Sequence, residues 1–224
     1  MRNYALPDRD ECLALIAECH VPAHIVRHSE ATAKLGVFLA ERLNESGAAV
    51  DVALVERACL LHDLFRVCDF PLEDFSWFEQ PVSEEDKAKW RRLKARHGGN
   101  QHEDAAALFF GESYPVLAET IRKHRYTALL CEQDRPATWE EKLVYYADKR
   151  VMHDTIVPLR DRLEEAHRRS GSLLANAGKQ RDTETEEKVD ALIFELESEI
   201  FAHLDLAPDT VTSEFIDTYE ETTR

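Results

Sequence analysis

Apolar residues recur at every third or fourth position along almost the whole chain, and no stretch alternates apolar with polar residues over a strand length. That period lines one face of an α-helix and offers no pleated face from which to build a sheet, so it restricts the chain to an all-α fold. Breakers are few, with seven glycines and eight prolines among 224 residues. Asp8 opens a first helix to Cys19, stopped before Pro22. Ala23–Leu43 is a second, ended by Asn44, Ser46 and Gly47, and Asp51 caps a third to about Val67. The aromatic stretch Cys68–Val82 contains Pro71 and Pro81 and reads as a packed loop. A Ser83-Glu84-Glu85-Asp86 capping box then opens a charged helix to about Arg96. Further helices are expected over Gln101–Phe110, Pro115–Tyr126, Thr138–Met152 and Pro158–Ser170, followed by a join at Ser170-Gly171-Ser172 and Ala177-Gly178. Glu184–Leu204 carries Val189, Leu192, Ile193, Leu196, Ile200 and Leu204 at helical spacing opposite an acidic face, which could pack on the main body or on a second subunit.

The formal charge is −16, and between Arg181 and Arg224 three basic residues face fourteen acidic ones, so this tail alone carries −11. An acidic surface releases no phosphate counterions, which argues against sequence-independent binding to nucleic acid or anionic membranes. It leaves a nucleotide open as a ligand, because a bound cation reverses the local sign. The cysteines Cys12, Cys19, Cys59, Cys68 and Cys131 show no C-x-x-C spacing and lie in apolar surroundings, so buried thiols are expected rather than disulfides or a thiolate metal site. The opening MRNYALPDRD has no apolar signal core, and no apolar run approaches the roughly 18 residues of a membrane span, so a cytoplasmic protein is expected.

Against this background some polar residues are misplaced. His28 shares a helix face with Ala31, Thr32 and Leu35; His62 follows Val55 and Cys59; His102 aligns with Ala105, Ala106 and Phe109. His124 follows Leu117 and Ile121, and Asp148 sits between Val144 and Val151-Met152. Asp63 is out of register, yet Cys59, Leu60 and Val67 around it are apolar. One inward histidine is ordinarily a hydrogen-bonded core residue. Inward aspartates with no basic partner on the same face need a counter-charge, because an unpaired buried carboxylate costs several kcal/mol. A divalent cation supplies one, and a mixed imidazole and carboxylate donor set suits iron, manganese, cobalt, nickel or zinc. His20, His153, His167 and His203 have charged or loop neighbours and are expected at the surface.

The segments VRHSEATA (26–33), ACLLHDLFR (58–66) and LVYYADKRV (143–151) resemble the HD-domain superfamily of metal-dependent phosphohydrolases, whose pattern is a histidine, a consecutive His-Asp and a distant aspartate. The resemblance spans about residues 22–152. HEDAAALFF (102–110) and TIRKHRYTA (120–128) are similar to segments of the branches that hold two metals, closest in pattern to the dinucleoside-tetraphosphatase-like branch. The resemblance implies an HD-domain helical bundle over residues 1–170, with additional C-terminal helices in an acidic extension over 171–224. It implies one or two divalent ions (Fe, Mn, Co, Zn or Ni), one on His28, His62, Asp63 and Asp148, a second on His102 and His124 with Asp63 bridging. His62 and Asp63 would then be catalytic, in cleavage of a phosphate ester or anhydride of a nucleotide or similar small molecule by metal-activated water.

Arg66, Lys123, Arg125, Lys149 and Arg150 lie a turn or less from these residues and are candidates for gripping the substrate phosphate. Phe75, Trp77 and Phe78 are candidates for stacking on a base. Arg66 stands where the family often has lysine, and the Gly-Tyr-Pro signature of the cyclic-di-GMP branch is absent. Two alternatives remain: a di-iron oxygenase on an HD-type scaffold, and a non-catalytic HD-type domain that binds a ligand or partner. A homodimer stays open.

Overall fold

Several of the helices begin where a side-chain cap starts them. The computed structural model describes residues 4–223 except Trp77, Glu79, Gln80, Gly98, Ala177 and Lys179. Helix α1 (Arg9–Glu18) starts at Asp8, whose carboxylate accepts from Glu11 N while Glu11 reaches back to Asp8 N at 2.6 Å. Helix α2 spans Ala23–Glu45, and α3 (Val52–Leu61) begins where Asp51 accepts from Leu54 N. Helix α4 (Glu84–His97) opens at Ser83, whose Oγ accepts from Asp86 N. Then come α5 (His102–Phe110), α6 (Pro115–Arg122) and α7 (Trp139–Asp148), the last capped reciprocally by Thr138 and Glu141. A hairpin of β1 (Val151–Met152) and β2 (Thr155–Ile156) leads to α8 (Leu159–Asn176), α9 (Thr183–Phe201) and α10 (Ser213–Thr223). The fold is all-α apart from that two-residue ribbon.

Helix α2 is the central strut, packed against α3, α7 and the hairpin. Its approach to α3 is close because Gly36 has no side chain: a Cβ there would lie 2.9 Å from both Cys59 Sγ and Val55 Cγ1. This contact brings the His-Asp end of α3 beside His28. Helix α9 buries Val189, Ile193, Leu196 and Ile200 in the same apolar core as the preceding helices, so its apolar face is spent on the main body.

Four helix ends depart from the sequence expectation by a turn or more. Helix α3 stops at Leu61 rather than Val67, giving way to turns and a short 3₁₀ helix over Arg66–Asp69. Helix α6 stops at Arg122 rather than Tyr126, and α7 at Asp148 rather than Met152, because the chain turns into the hairpin. Helix α8 runs unbroken through Ser170-Gly171-Ser172, since one interior glycine costs a helix only about 1 kcal/mol. The segment Ser213–Thr223, unassigned in the sequence reading, is also helical, and its Phe215 and Tyr219 rings meet Phe38 of α2 edge-on. No helix among the described residues is long and apolar enough to cross a membrane.

Candidate metal centre

The early stops at these helix ends build the site. His62 is the C-terminal cap of α3 and Asp63 follows it, so both turn into one centre, which successive residues 100° apart on a helix would not do. His124 follows the end of α6, Asp148 is the last residue of α7, and His102 is the first of α5. Among the six residues singled out for metal binding, His28 alone sits well inside a helix. Three helix C-termini, with their partial negative charge, therefore meet here against one N-terminus, which favours a cation between them.

The structure brings all six together. Donor atoms of His28, His62 and Asp63, of His62, His124 and Asp148, and of Asp63, His102 and His124 lie within 4.8 Å of one another in each trio. The imidazoles form a row, with ring centroids 5.4 Å apart from His28 to His62, 5.0 Å to His124 and 5.1 Å to His102. Asp63 divides its oxygens along this row. Oδ2 lies 3.7 Å from His62 Nε2, while Oδ1 lies 3.1 Å from His102 Nε2 and 3.9 Å from His124 Nε2. Asp148 Oδ1 sits at the other end, 3.0 Å from His28 Nε2 and 3.6 Å from His62 Nε2.

The outer ring nitrogens have partners that fix the tautomer. His28 Nδ1 donates to the His153 carbonyl (3.0 Å), and His62 Nδ1 and His124 Nδ1 donate to the Cys59 (2.7 Å) and Ile121 (2.5 Å) carbonyls, three residues back in their own helices. A carbonyl only accepts, so Nδ1 carries a proton, and Nε2 is the nitrogen turned toward the centre. His102 differs: its Nδ1 meets the Asp69 carboxylate at 2.6 Å, with Glu103 Oε2 at 3.2 Å. His62 Nε2 is buried without a hydrogen-bond partner, an unmet polar atom aimed into the cluster. That orphan, the mixed nitrogen and oxygen donors and the converging helix ends fit a divalent cation.

Charges are redistributed to suit. Burial opposes ionisation of Asp63, but His62, Arg66 and His102 hold its carboxyl well below the usual range. Burial likewise opposes Asp148, and Lys149, His28 and His62 hold it well down. Burial opposes charge on His102, yet Asp63 and Asp69 push its pKa up to about 9. His124 goes the other way, because burial and the charges of His62 and His102 keep it neutral.

The candidate phosphate-gripping cations separate sharply. Arg66 is the most exposed of them, its side chain 41% exposed, with Nη1 3.1 Å and 3.2 Å from the two His102 ring nitrogens and 3.3 Å from Asp69 Oδ2. Lys149 is buried, donates to the His124 carbonyl and pairs with Asp148, so it serves as the counter-charge of a carboxylate. Lys123 is buried with both Glu141 oxygens at 3.0 Å, which ties α6 to α7 and takes it away from substrate. Arg125 is committed to Asp104 at 2.6 Å. Arg150 is fully buried, donating to Tyr146 and to the carbonyls of Val157, Pro208 and Val211, with Glu197 at 3.5 Å. It clamps the C-terminal segments to α7 and has no access to a phosphate. Phe75 and Phe78 pack near Trp90 with centroids at 6.2 Å and 5.1 Å, pinning the loop to α4 rather than standing open for a base; Trp77 lies outside the described residues. His20 and His167, expected at the surface, are half-buried partners of Asp86 and Asp190.

Sequence reasoning missed Asp69, Glu103 and the carbonyl partners. Asp69 had one signal, a carboxylate six residues after His-Asp; a main-chain carbonyl has no side-chain identity to read. Compared with known proteins, residues 25–153 match the model of one family, described as HD domain. No curated protein and no solved structure matches the chain.

Proposed function

The chain belongs to the HD-domain family, and on that premise we propose that it is a metal-dependent phosphohydrolase. In this reading it cleaves a phosphate ester or anhydride of a nucleotide or similar small molecule, using two divalent ions, as in the dinucleoside-tetraphosphatase-like branch. The observation that carries the two-ion reading is the split of Asp63, one oxygen facing His62 and the other facing His102 and His124. A carboxylate between two donor groups is placed to serve both. Charge supports the same reading. Around the row, Asp63, Asp69, Glu103 and Asp148 face Arg66 and Lys149, leaving two negative charges when the imidazoles are neutral. One dication cancels this, and a second leaves a positive centre suited to a phosphate dianion.

Bound dications supply Lewis acidity, drawing electron density from a phosphoryl oxygen and making water a better nucleophile near neutral pH. The protein does the rest. The Nδ1–carbonyl bonds of His28, His62 and His124 hold their Nε2 atoms toward the centre. Lys149 holds Asp148 in place, and the partly exposed Arg66 offers guanidinium donors to phosphoryl oxygens. In the reaction water oxygen joins phosphorus, the phosphorus–oxygen bond to the leaving group breaks, and the proton that water gives up goes to the leaving oxygen. Arg66 favours an anionic substrate over the neutral one an oxygenase could take.

The test is phosphate release from a panel of nucleotides by protein loaded with manganese, cobalt or iron. Turnover is expected in the wild type and lost in Asp63→Ala. Protein carrying two equivalents of metal that frees no phosphate from any compound, while consuming oxygen with a reductant, would replace this reading with the oxygenase.

A further inference from the structure

We infer that Asp69 is the positioning carboxylate for the second ion, orienting His102 through Nδ1 and thereby setting the affinity of that position alone. The proposal rests on the two-ion reading above. Among the four imidazoles of the row, His102 is the one whose outer nitrogen meets a side chain instead of a main-chain carbonyl. The reason lies in its place in the fold. His62 and His124 stand at helix C-termini, where carbonyls three residues back are within reach. His102 begins α5, where the main chain presents N–H groups instead, so its ring N–H has no carbonyl to bond. Asp69, at the end of the short 3₁₀ helix that follows His-Asp, fills that role at 2.6 Å.

A carboxylate partner makes an imidazole a stronger donor than a carbonyl partner does, and loss of such a partner typically weakens metal binding by about 10- to 100-fold. Glu103 does not duplicate it. Its Oε2 lies near the same nitrogen at 3.2 Å but makes no hydrogen bond, so the ring proton is directed to Asp69. Asp69 is also open to solvent, its side chain 29% exposed, whereas the carbonyls behind His62 and His124 are inside the bundle. The second position is thus the adjustable one.

The experiment is calorimetric titration of the full-length metal-free protein with cobalt(II), with the visible cobalt spectrum recorded at each equivalent. Wild type, Asp69→Ala and Asp69→Asn are compared, and circular dichroism confirms that each variant is folded. Two equivalents are expected for the wild type. In Asp69→Ala the second should weaken by about 10- to 100-fold and its absorption bands shift, while the first stays unchanged. Asp69→Asn keeps an acceptor oxygen in a side chain of the same size and should recover part of the loss. A second equivalent unaltered in Asp69→Ala overturns the proposal and leaves the two-ion reading standing. So does a loss shared equally by both equivalents, or one that Asp69→Asn does not lessen. Uptake of a single equivalent by the wild type overturns both.

Discussion

The two ends of the histidine row are built from different materials. At the Asp148 end, His28 and His62 are held by the carbonyls of His153 and Cys59, and the carboxylate is backed by a buried lysine. At the other end His124 is held by the Ile121 carbonyl, but His102 depends on the Asp69 side chain with Arg66 alongside. A main-chain partner survives any substitution that leaves the helix intact; a side-chain partner is lost in one mutation. One end is therefore as robust as the fold, and the other is tunable independently of it. Asp63 belongs to both.

That makes Asp63 the most damaging residue to remove. Asp63→Ala should abolish the difference between the ends by weakening both, with phosphate release falling roughly 10³-fold or more if metal charge stabilisation is worth several kcal/mol. Metal analysis checks it: an Asp63→Ala protein that keeps two equivalents would mean that the carboxylate does not bridge. Next in size is a change in stability. The Asp148 end is only as firm as α7, whose following residue but one, Arg150, is fully buried and anchors the segments around Val157, Val211 and Glu197. Arg150→Ala leaves those acceptors unpaired and should lower unfolding free energy by about 3–5 kcal/mol in urea melts. A loss under about 1 kcal/mol would show that the clamp is dispensable.

Much of this was legible in advance, and the boundary of legibility has a physical cause. Helix interiors and their inward polar residues follow from period alone, so five of the six donor residues, all but Asp63, stood out as misplaced on apolar faces. Helix ends did not follow, because α3, α6 and α7 stop where neighbouring elements make them stop. The ends matter most, since they explain how Asp63, out of register for a helix continued to Val67, still faces the centre. Proximity along the chain also misled for Lys123 and Arg150. Both lie within two residues of proposed ligands, yet their side chains run the other way into Glu141 and the C-terminal segments. A residue's register tells which face it occupies only while the helix lasts.

Acid and base should separate the ends of the His102–His124 pair in metal-free protein. His102 has a folded pKa of about 9 against an ordinary 6.5, so its contribution to stability is complete below about 6.5 and is lost as pH rises through 9. His124 is depressed below 6.5, so the unfolded chain takes up its proton first and stability falls as pH drops beneath 6.5. Ring-shift titration by NMR should show His102 charged and His124 neutral at pH 7, with a proton released when the second ion binds. Both titrating together near 6.5 would remove the asymmetry.

The smallest expected effect is the sharpest check on what holds the first end. Arg27 of α2 pairs at 3.0 Å with Asp154 in the turn of the hairpin that carries His153, both half-exposed. If His28 were oriented by this surface pair, Arg27→Ala would weaken the first ion as strongly as loss of Asp69 weakens the second. If the His153 carbonyl is what counts, the hairpin's own hydrogen bonds keep it in place and an exposed ion pair contributes little. Val151 and Met152 remain paired with Ile156 and Thr155 whatever residue 27 is, and Arg162 still binds the Val151 carbonyl at 2.7 Å. First-equivalent cobalt affinity in Arg27→Ala should therefore stay within about threefold of wild type, and a drop of tenfold or more would place the first end, like the second, under side-chain control.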